Sequence, residues 1–525
     1  MLKPLIRTTG CVFALATALG CWGKTGDRTQ VGGETNWLLS CNSSADCAIG
    51  SCLCNVCTVE CDTVDGCGNG PPGSSCVTIG GLGKDCSTVL TSSAPSAGLC
   101  LAPRGDVGPA SPLDATLGEI AQDLAQHSAA DRPFLRYLSL QNLANVDPHP
   151  VWTDGNSPAE IIANRTARGR LALAKLINSL SAQPEPARST SVGSTGRLAS
   201  IDLRDLGWDR PIRVDEIEYP DPWAAIVAHA QLGVEYQGIV ADRIQEQTGT
   251  RVPLLFADDF VAAASVGDVY YEILGMPDTL RTLEELLLPD RSTTAEAVFS
   301  SSGVSIGARI VQRQSFSDAQ RPYWKALDFD ASISVEALLA GAGDIGPGSA
   351  EVIYRLPNGF QAFFLSDADG RRVGISPLSP QIVSDPAQPD KVLRNSASCY
   401  GCHNAGLISF ADQLHPKDTT LQLAVDADSA FYMNSAESAG IPNATPDAIG
   451  RIFVDFGRDV LPGRAALELF VTPEVLAAQT ARLPYPLRVL GNDAGSVSRN
   501  TFSSRYLEAL CALQSGAENQ PVGCP

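Results

Sequence analysis

The residues best suited to chemistry in this chain lie in one short stretch, Arg394 to Phe410, RNSASCYGCHNAGLISF. Cys399, Cys402 and His403 stand there at the spacing C-x-x-C-H, in a chain with five histidines and sixteen cysteines. On a helical turn, positions i, i+3 and i+4 share one face. Two thiols so placed can form thioethers with the vinyl groups of a haem while the imidazole binds its iron from one side. Spacing alone leaves three alternatives: a Cys399–Cys402 disulfide, a thioredoxin-like redox pair, or half of a zinc site whose second ligand pair is missing nearby.

Iron held by His403 raises the question of a sixth ligand. Methionine there raises the potential, a second histidine lowers it, and an open position admits small ligands. Met433, in SAFYMNSAES, lies thirty residues past His403 in a helical pattern and is the first candidate, against the plain reading of a core methionine. His415 is nearer, but Pro416 follows it and the chain would have to fold straight back. His127, His149, His229 and Met276 belong to the region upstream.

The other cysteines have simpler explanations. Lys3, Arg7 and the apolar run CVFALATAL read as an export signal over residues 1–20, too short to span a bilayer. Its end, ALGC, resembles the lipobox of bacterial lipoproteins, which implies a lipid on Cys21 and a membrane tether through it. Ala18 stands where leucine is usual, so cleavage without an anchor is the alternative. A polar tether follows over 21–36. Cys41, Cys47, Cys52, Cys54, Cys57, Cys61, Cys67, Cys76, Cys86 and Cys100 crowd into a segment over 37–102 that is poor in aliphatic side chains. An exported segment of that kind is expected to be held by disulfides, with zinc through Cys52, Cys54, Cys57 and Cys61 as the alternative. Cys511 and Cys524 flank a short C-terminal loop and are expected to pair. That leaves Cys399 and Cys402 needing their own account.

The elements that must position the motif can be read from periodicity. After a Pro/Gly linker over 103–112, residues 113–395 read as an α+β region. Helical spacing covers Pro158 to Ala182, Asp221 to Gly249 and Pro277 to Leu288; Arg197 to Trp208 alternates as a strand; Glu351 to Gly370 reads as a hairpin turning at Asn358-Gly359. Residues 396–525 read as a mainly helical haem c domain. The fold class expected is therefore multidomain: a disulfide-rich module, an α+β middle and a helical, cytochrome c-like C-terminal domain. Two further motifs are decoys. GVSIG (Gly303 to Gly307) has the G-x-S-x-G spacing of a hydrolase elbow, but only His403 and His415 lie downstream of it to complete a triad. SDADG (Ser366 to Gly370) lacks a third calcium-ligand position and the late Glu, and fits a hairpin turn.

Composition excludes one class of partner. With 38 Lys+Arg against 58 Asp+Glu, net −20, and no basic cluster, nucleic acid is not an expected ligand.

CYGCHNAGLI resembles the haem-binding turn of c-type cytochromes. The longer run from PNGFQAFFLSDADG to LISFADQ resembles a group of large exported bacterial proteins with a single cytochrome c site. FLRYLSLQNL, LINSLS, IDLRDLGW, SSGVSIGAR, YWKALDFD and AGSVSRNTF fit that group too, so the resemblance runs from about Phe134 to Phe502. It implies one covalent haem c on Cys399, Cys402 and His403, and electron transfer with a redox partner protein. A haem-dependent peroxidase or oxidase and a structural or binding surface lipoprotein are the competing functions.

Overall fold

The computed structural model describes residues 44–46, 51–53, 56–61, 75–78, 98–101 and 113–524, the last range broken at 146–157, 194–195, 288–292, 300–301, 303, 316–321, 341–345, 386–387, 389, 404, 411, 414–418, 442–448 and 493–494. The signal, Cys21, Cys41, Cys47, Cys54, Cys67, Cys86, His149 and the distal candidate His415 lie outside the described residues. Of the module, Ser51–Leu53 pairs with Val56–Thr58, and Gly98–Leu101 pairs with both Glu60–Cys61 and Ser75–Thr78. Cys52, Cys61 and Cys100 are disulfide-bonded there. At the other end of the chain Cys511 and Cys524 are joined to each other.

The main body is mixed α and β. A first sheet has β1 (Leu135–Ser139), β2 (Thr190–Val192), β3 (Leu198–Asp202) and β4 (Leu254–Phe256) in the order β4-β1-β3-β2, with β4 parallel to β1 and the other pairs antiparallel. Strand β1, LRYLS, is buried at every residue, Arg136 and Ser139 included, so it lies between two covered faces rather than on a one-sided sheet. Against it pack α1 (Leu113–Gln126) and α2 (Pro158–Ser179). On α2 and the residue just past it, Leu173, Leu176, Ile177 and Leu180 recur three and four apart and are fully buried, each stabilising by roughly 1.5–3 kcal/mol.

Two expected elements are interrupted inside their patterns. The strand over Arg197 to Trp208 ends at Asp202, because that carboxylate accepts the Arg204 N–H and starts a 3-10 turn, Leu203–Leu206. The helix over Asp221 to Gly249 is two helices, Pro222–His229 and Ile239–Thr248, interrupted by a strand at Tyr236–Gln237 and by Gly238 at φ +130°.

The second sheet is an antiparallel meander of β5 (Thr293–Phe299), β6 (Arg309–Ser315), β7 (Tyr323–Asp328), β8 (Ser349–Arg355) and β9 (Gln361–Asp367). The chain turns between β8 and β9 at Asn358-Gly359, where Gly359 has φ +88° and the Asn358 side chain accepts the Phe360 N–H. The two decoys resolve locally. Buried Ser305 accepts the Gly307 N–H and is followed by a strand rather than a helix, so no nucleophile elbow forms. Asp367 accepts the Asp369 and Arg371 N–H groups, making a hairpin turn of SDADG.

Helices α3 (Ala257–Ala264), α4 (Gly267–Ile273), α5 (Ala397–Cys402), α6 (Thr420–Ser438), α7 (Ile449–Gly457), α8 (Pro462–Glu468) and α9 (Arg499–Ser504) complete the frame around the motif. The boundary expected at 395/396 does not divide it. One core runs from Leu138 through Phe363 to Ile452, a second from Leu113 to Leu513, and Tyr236–Gln237 pairs with Gln520–Pro521. Among the described residues, the helices after residue 396 share both of these cores with the elements before it. No described helix is long and apolar enough to cross a membrane.

Candidate functional site

The C-x-x-C-H turn is helix α5, only six residues long, and helices this short depend on tertiary contacts. Its entry is held by Asn395, whose Nδ2 donates to the Phe363 carbonyl at 3.2 Å, and by Ser398 Oγ, which accepts the Arg394 N–H at 3.0 Å. Ser396 sits at φ +59°, a costly conformation for a non-glycine residue, and its Oγ donates to the Ser265 carbonyl at the end of α3. Tyr400 then packs edge-on against Phe363 (5.3 Å between ring centroids) and Tyr270 (6.5 Å). The helix is thereby pinned to β9 and α4, and His403 caps it with its N–H on the Cys399 carbonyl at 2.8 Å.

The imidazole of His403 tilts against Phe363, 6.0 Å between centroids, and its Nδ1 lies 3.2 Å from the Gly406 carbonyl. A carbonyl only accepts, so Nδ1 carries the hydrogen and Nε2 the lone pair. Among the described residues Nε2 has no partner. Burial, with the charge of Arg309 adding to it, brings the ring's pKa down to about 4, so it is neutral near pH 7. Burial likewise pushes the Cys399 thiol well above its ordinary range, and nearby Glu351 and Asp385 push the same way. That thiol is free. Glu351 belongs to a buried group with Arg309 and Asp328: Arg309 holds Asp328 through two bonds of 2.7 and 2.8 Å and lies 3.1 Å from Glu351.

Cys402 is not the free thiol that the spacing implied. It is disulfide-bonded, and not to Cys399. A thioether needs a thiol, so in this oxidised form the motif offers haem one sulfur rather than two. The donor set otherwise fits a c-type haem: a neutral imidazole with its lone pair on Nε2, a free thiol three residues before Cys402, and Met433 on the same apolar core as Cys399. A small cavity beside the exit loop, lined by Trp324, Ile353, Tyr354, Gln361, Leu407 and Tyr432 among others, has a volume of about 20 Å³, room for a single water.

The remaining candidates scatter. Met276 is buried in the core, His229 bonds the Ala225 carbonyl through Nδ1, and the His127 ring lies 3.6 Å from Asp123. Reading by spacing missed Gly406, Phe363 and the Arg309–Asp328–Glu351 group. Only Gly406, a glycine three residues past the histidine, left any signal in the sequence. Scans of the chain against protein-family models, curated proteins and solved structures found no match.

Proposed function

We propose that the chain is an exported c-type cytochrome carrying one covalent haem and passing single electrons to or from a partner protein. The observation that carries this reading is the tether of His403 Nδ1 to the Gly406 carbonyl, on a helical turn that also presents Cys399 and Cys402. A hydrogen bond at one ring nitrogen orients the other toward a metal and raises its basicity, as at most metal-binding histidines. Haem held there supplies a one-electron ferric/ferrous couple. In this reading Cys399 and, once its disulfide is reduced, Cys402 would anchor it, and His403 and Met433 would ligate its iron. The acidic surface, net −20, suits a basic redox partner, and Cys21 would tether the protein to a membrane.

The test is a haem stain on a denaturing gel, with a reduced-minus-oxidised spectrum, of protein made in a host competent for cytochrome c maturation. Covalent haem that disappears in Cys399→Ala and Cys402→Ala supports the reading. Wild-type protein without covalent haem in that host overturns it. Alkylation of the apoprotein should label Cys402 only after reduction, because its disulfide must open before a thioether can form.

A further inference from the structure

The exit loop of the motif is braced by a residue far from it in sequence. Ser429, in the middle of α6, accepts the Leu407 N–H on its Oγ at 2.9 Å and donates to the Leu407 carbonyl at 3.4 Å. The loop is pressed onto the helix at that point. Gly406 has φ +108°, and a Cβ placed there would meet Cα, Cβ and Oγ of Ser429 at 2.9 Å. Any other residue at 406 would be strained twice over, by its dihedral and by backbone it cannot displace. The helix turn below is itself anchored to the sheet. Asp428 accepts Trp324 Nε1–H at 2.8 Å and Arg313 Nε–H at 3.1 Å. A continuous line therefore runs from β6 and β7 through Asp428, Ser429 and Leu407 to the Gly406 carbonyl and His403 Nδ1.

We propose that Ser429 is a positioning residue for His403: by clamping Leu407 it holds the Gly406 carbonyl where it selects the Nδ1–H tautomer and aims Nε2 as a ligand. Serine inside a helix ordinarily spends its hydroxyl on the carbonyl one turn back, as Ser435 and Ser438 do on the same helix. Ser429 spends it on the loop instead. The role in electron transfer rests on the haem reading above; the selection of the tautomer does not.

The deciding measurement is the ring ¹⁵N spectrum of full-length apoprotein labelled at its five histidines, with His403 assigned through His403→Gln. In wild type, Nδ1–H should be the sole tautomer of His403. In Ser429→Ala a substantial Nε2–H population should appear, and Ser429→Thr, which keeps the hydroxyl, should restore the wild-type pattern. An unchanged tautomer in folded Ser429→Ala overturns the proposal. If Ser429→Ala does not fold, Ser429→Cys, with a weaker hydrogen-bonding group, decides: an intermediate population supports the clamp and a wild-type one overturns it. In the holoprotein, loosening the donor should weaken the preference for ferric iron about tenfold, a rise of about 59 mV in midpoint for one electron. A wild type without covalent haem sinks the cytochrome reading and leaves the tautomer test standing. Haem present with tautomer and midpoint both unmoved sinks the clamp alone.

Discussion

Glu468 is fully buried and His403 partly so, yet the protein treats their charges in opposite ways. Burial alone would raise the Glu468 carboxyl. Instead Arg499 grips it with two bonds of 2.7 and 2.9 Å, Arg464 adds one at 2.8 Å and Asn142 one at 3.1 Å, and it ends below its ordinary range. Arg464 reaches on to Asp258 at 2.6 Å, so α3, α8, α9 and the turn Gln141–Asn145 are tied together through one cluster. At His403 burial meets no opposing charge and the ring stays neutral, with one nitrogen committed to a carbonyl and the other uncommitted. The difference separates structure from chemistry. In the first cluster the hydrogen-bonding capacity of Glu468 is used by the fold; at the second a nitrogen lone pair is left over.

That contrast can be broken most directly at Glu468. Glu468→Gln leaves Arg499 and Arg464 without their shared carboxylate and should cost about 3–5 kcal/mol in a denaturant titration. A loss under about 1 kcal/mol would mean that the cluster does not hold these helices together.

The same cluster carries a pH signature. Asp259, fully buried beside it, accepts the Gln231 and Leu232 N–H groups; burial outweighs them, with Asp258 and Glu468 adding to it, and brings its carboxyl up to about 7. A carboxyl raised in the native state binds its proton more tightly there than in the unfolded chain. Its contribution is complete below the unfolded value near 4 and is lost as pH rises through 7, roughly 3 kcal/mol over that window. Glu468, lowered, acts in the other direction and loses its contribution as pH falls below its unfolded value. Stability should therefore peak at mildly acidic pH, and Asp259→Asn should flatten the limb between about 4 and 7; denaturant midpoints measured at each pH check both.

The His403 side should respond weakly in stability and strongly in chemistry. His403→Gln should change unfolding free energy by about 1 kcal/mol or less while abolishing the haem spectrum. A cost matching that of Glu468→Gln would mean that the histidine is structural. The smallest effect is expected at Met433. Met433→Leu conserves volume and should cost less than about 1.5 kcal/mol, while removing the methionine–iron band of the ferric spectrum and lowering the midpoint potential. An unchanged spectrum would exclude Met433 as distal ligand.

Much of the frame was readable because it is local. The hairpin at Asn358-Gly359 follows from a residue that tolerates positive φ between two apolar runs. Alternation misled at Arg197 to Trp208, where Asp202 diverts the backbone into a turn, and helical spacing misled after His229, where the next residues turn toward the C-terminal strand. The boundary at 395/396 failed for a different reason. A change in periodicity marks a change of element type, but cores are assembled across such changes, and Tyr400 and Ile452 share one with Leu138.

By itself the sequence determined that two sulfurs and an imidazole share one face at Cys399, Cys402 and His403, since helical periodicity relates residues within a turn whatever surrounds them. It also determined that Cys511 and Cys524, thirteen residues apart, were placed to close a short loop. Only the tertiary structure decided that Cys402 is oxidised away from Cys399, that Ser429 reaches the loop behind His403, and that Arg499 and Asn142 meet on Glu468. These depend on how distant segments pack, and no local pattern encodes the distance between residues that only the folded core brings together.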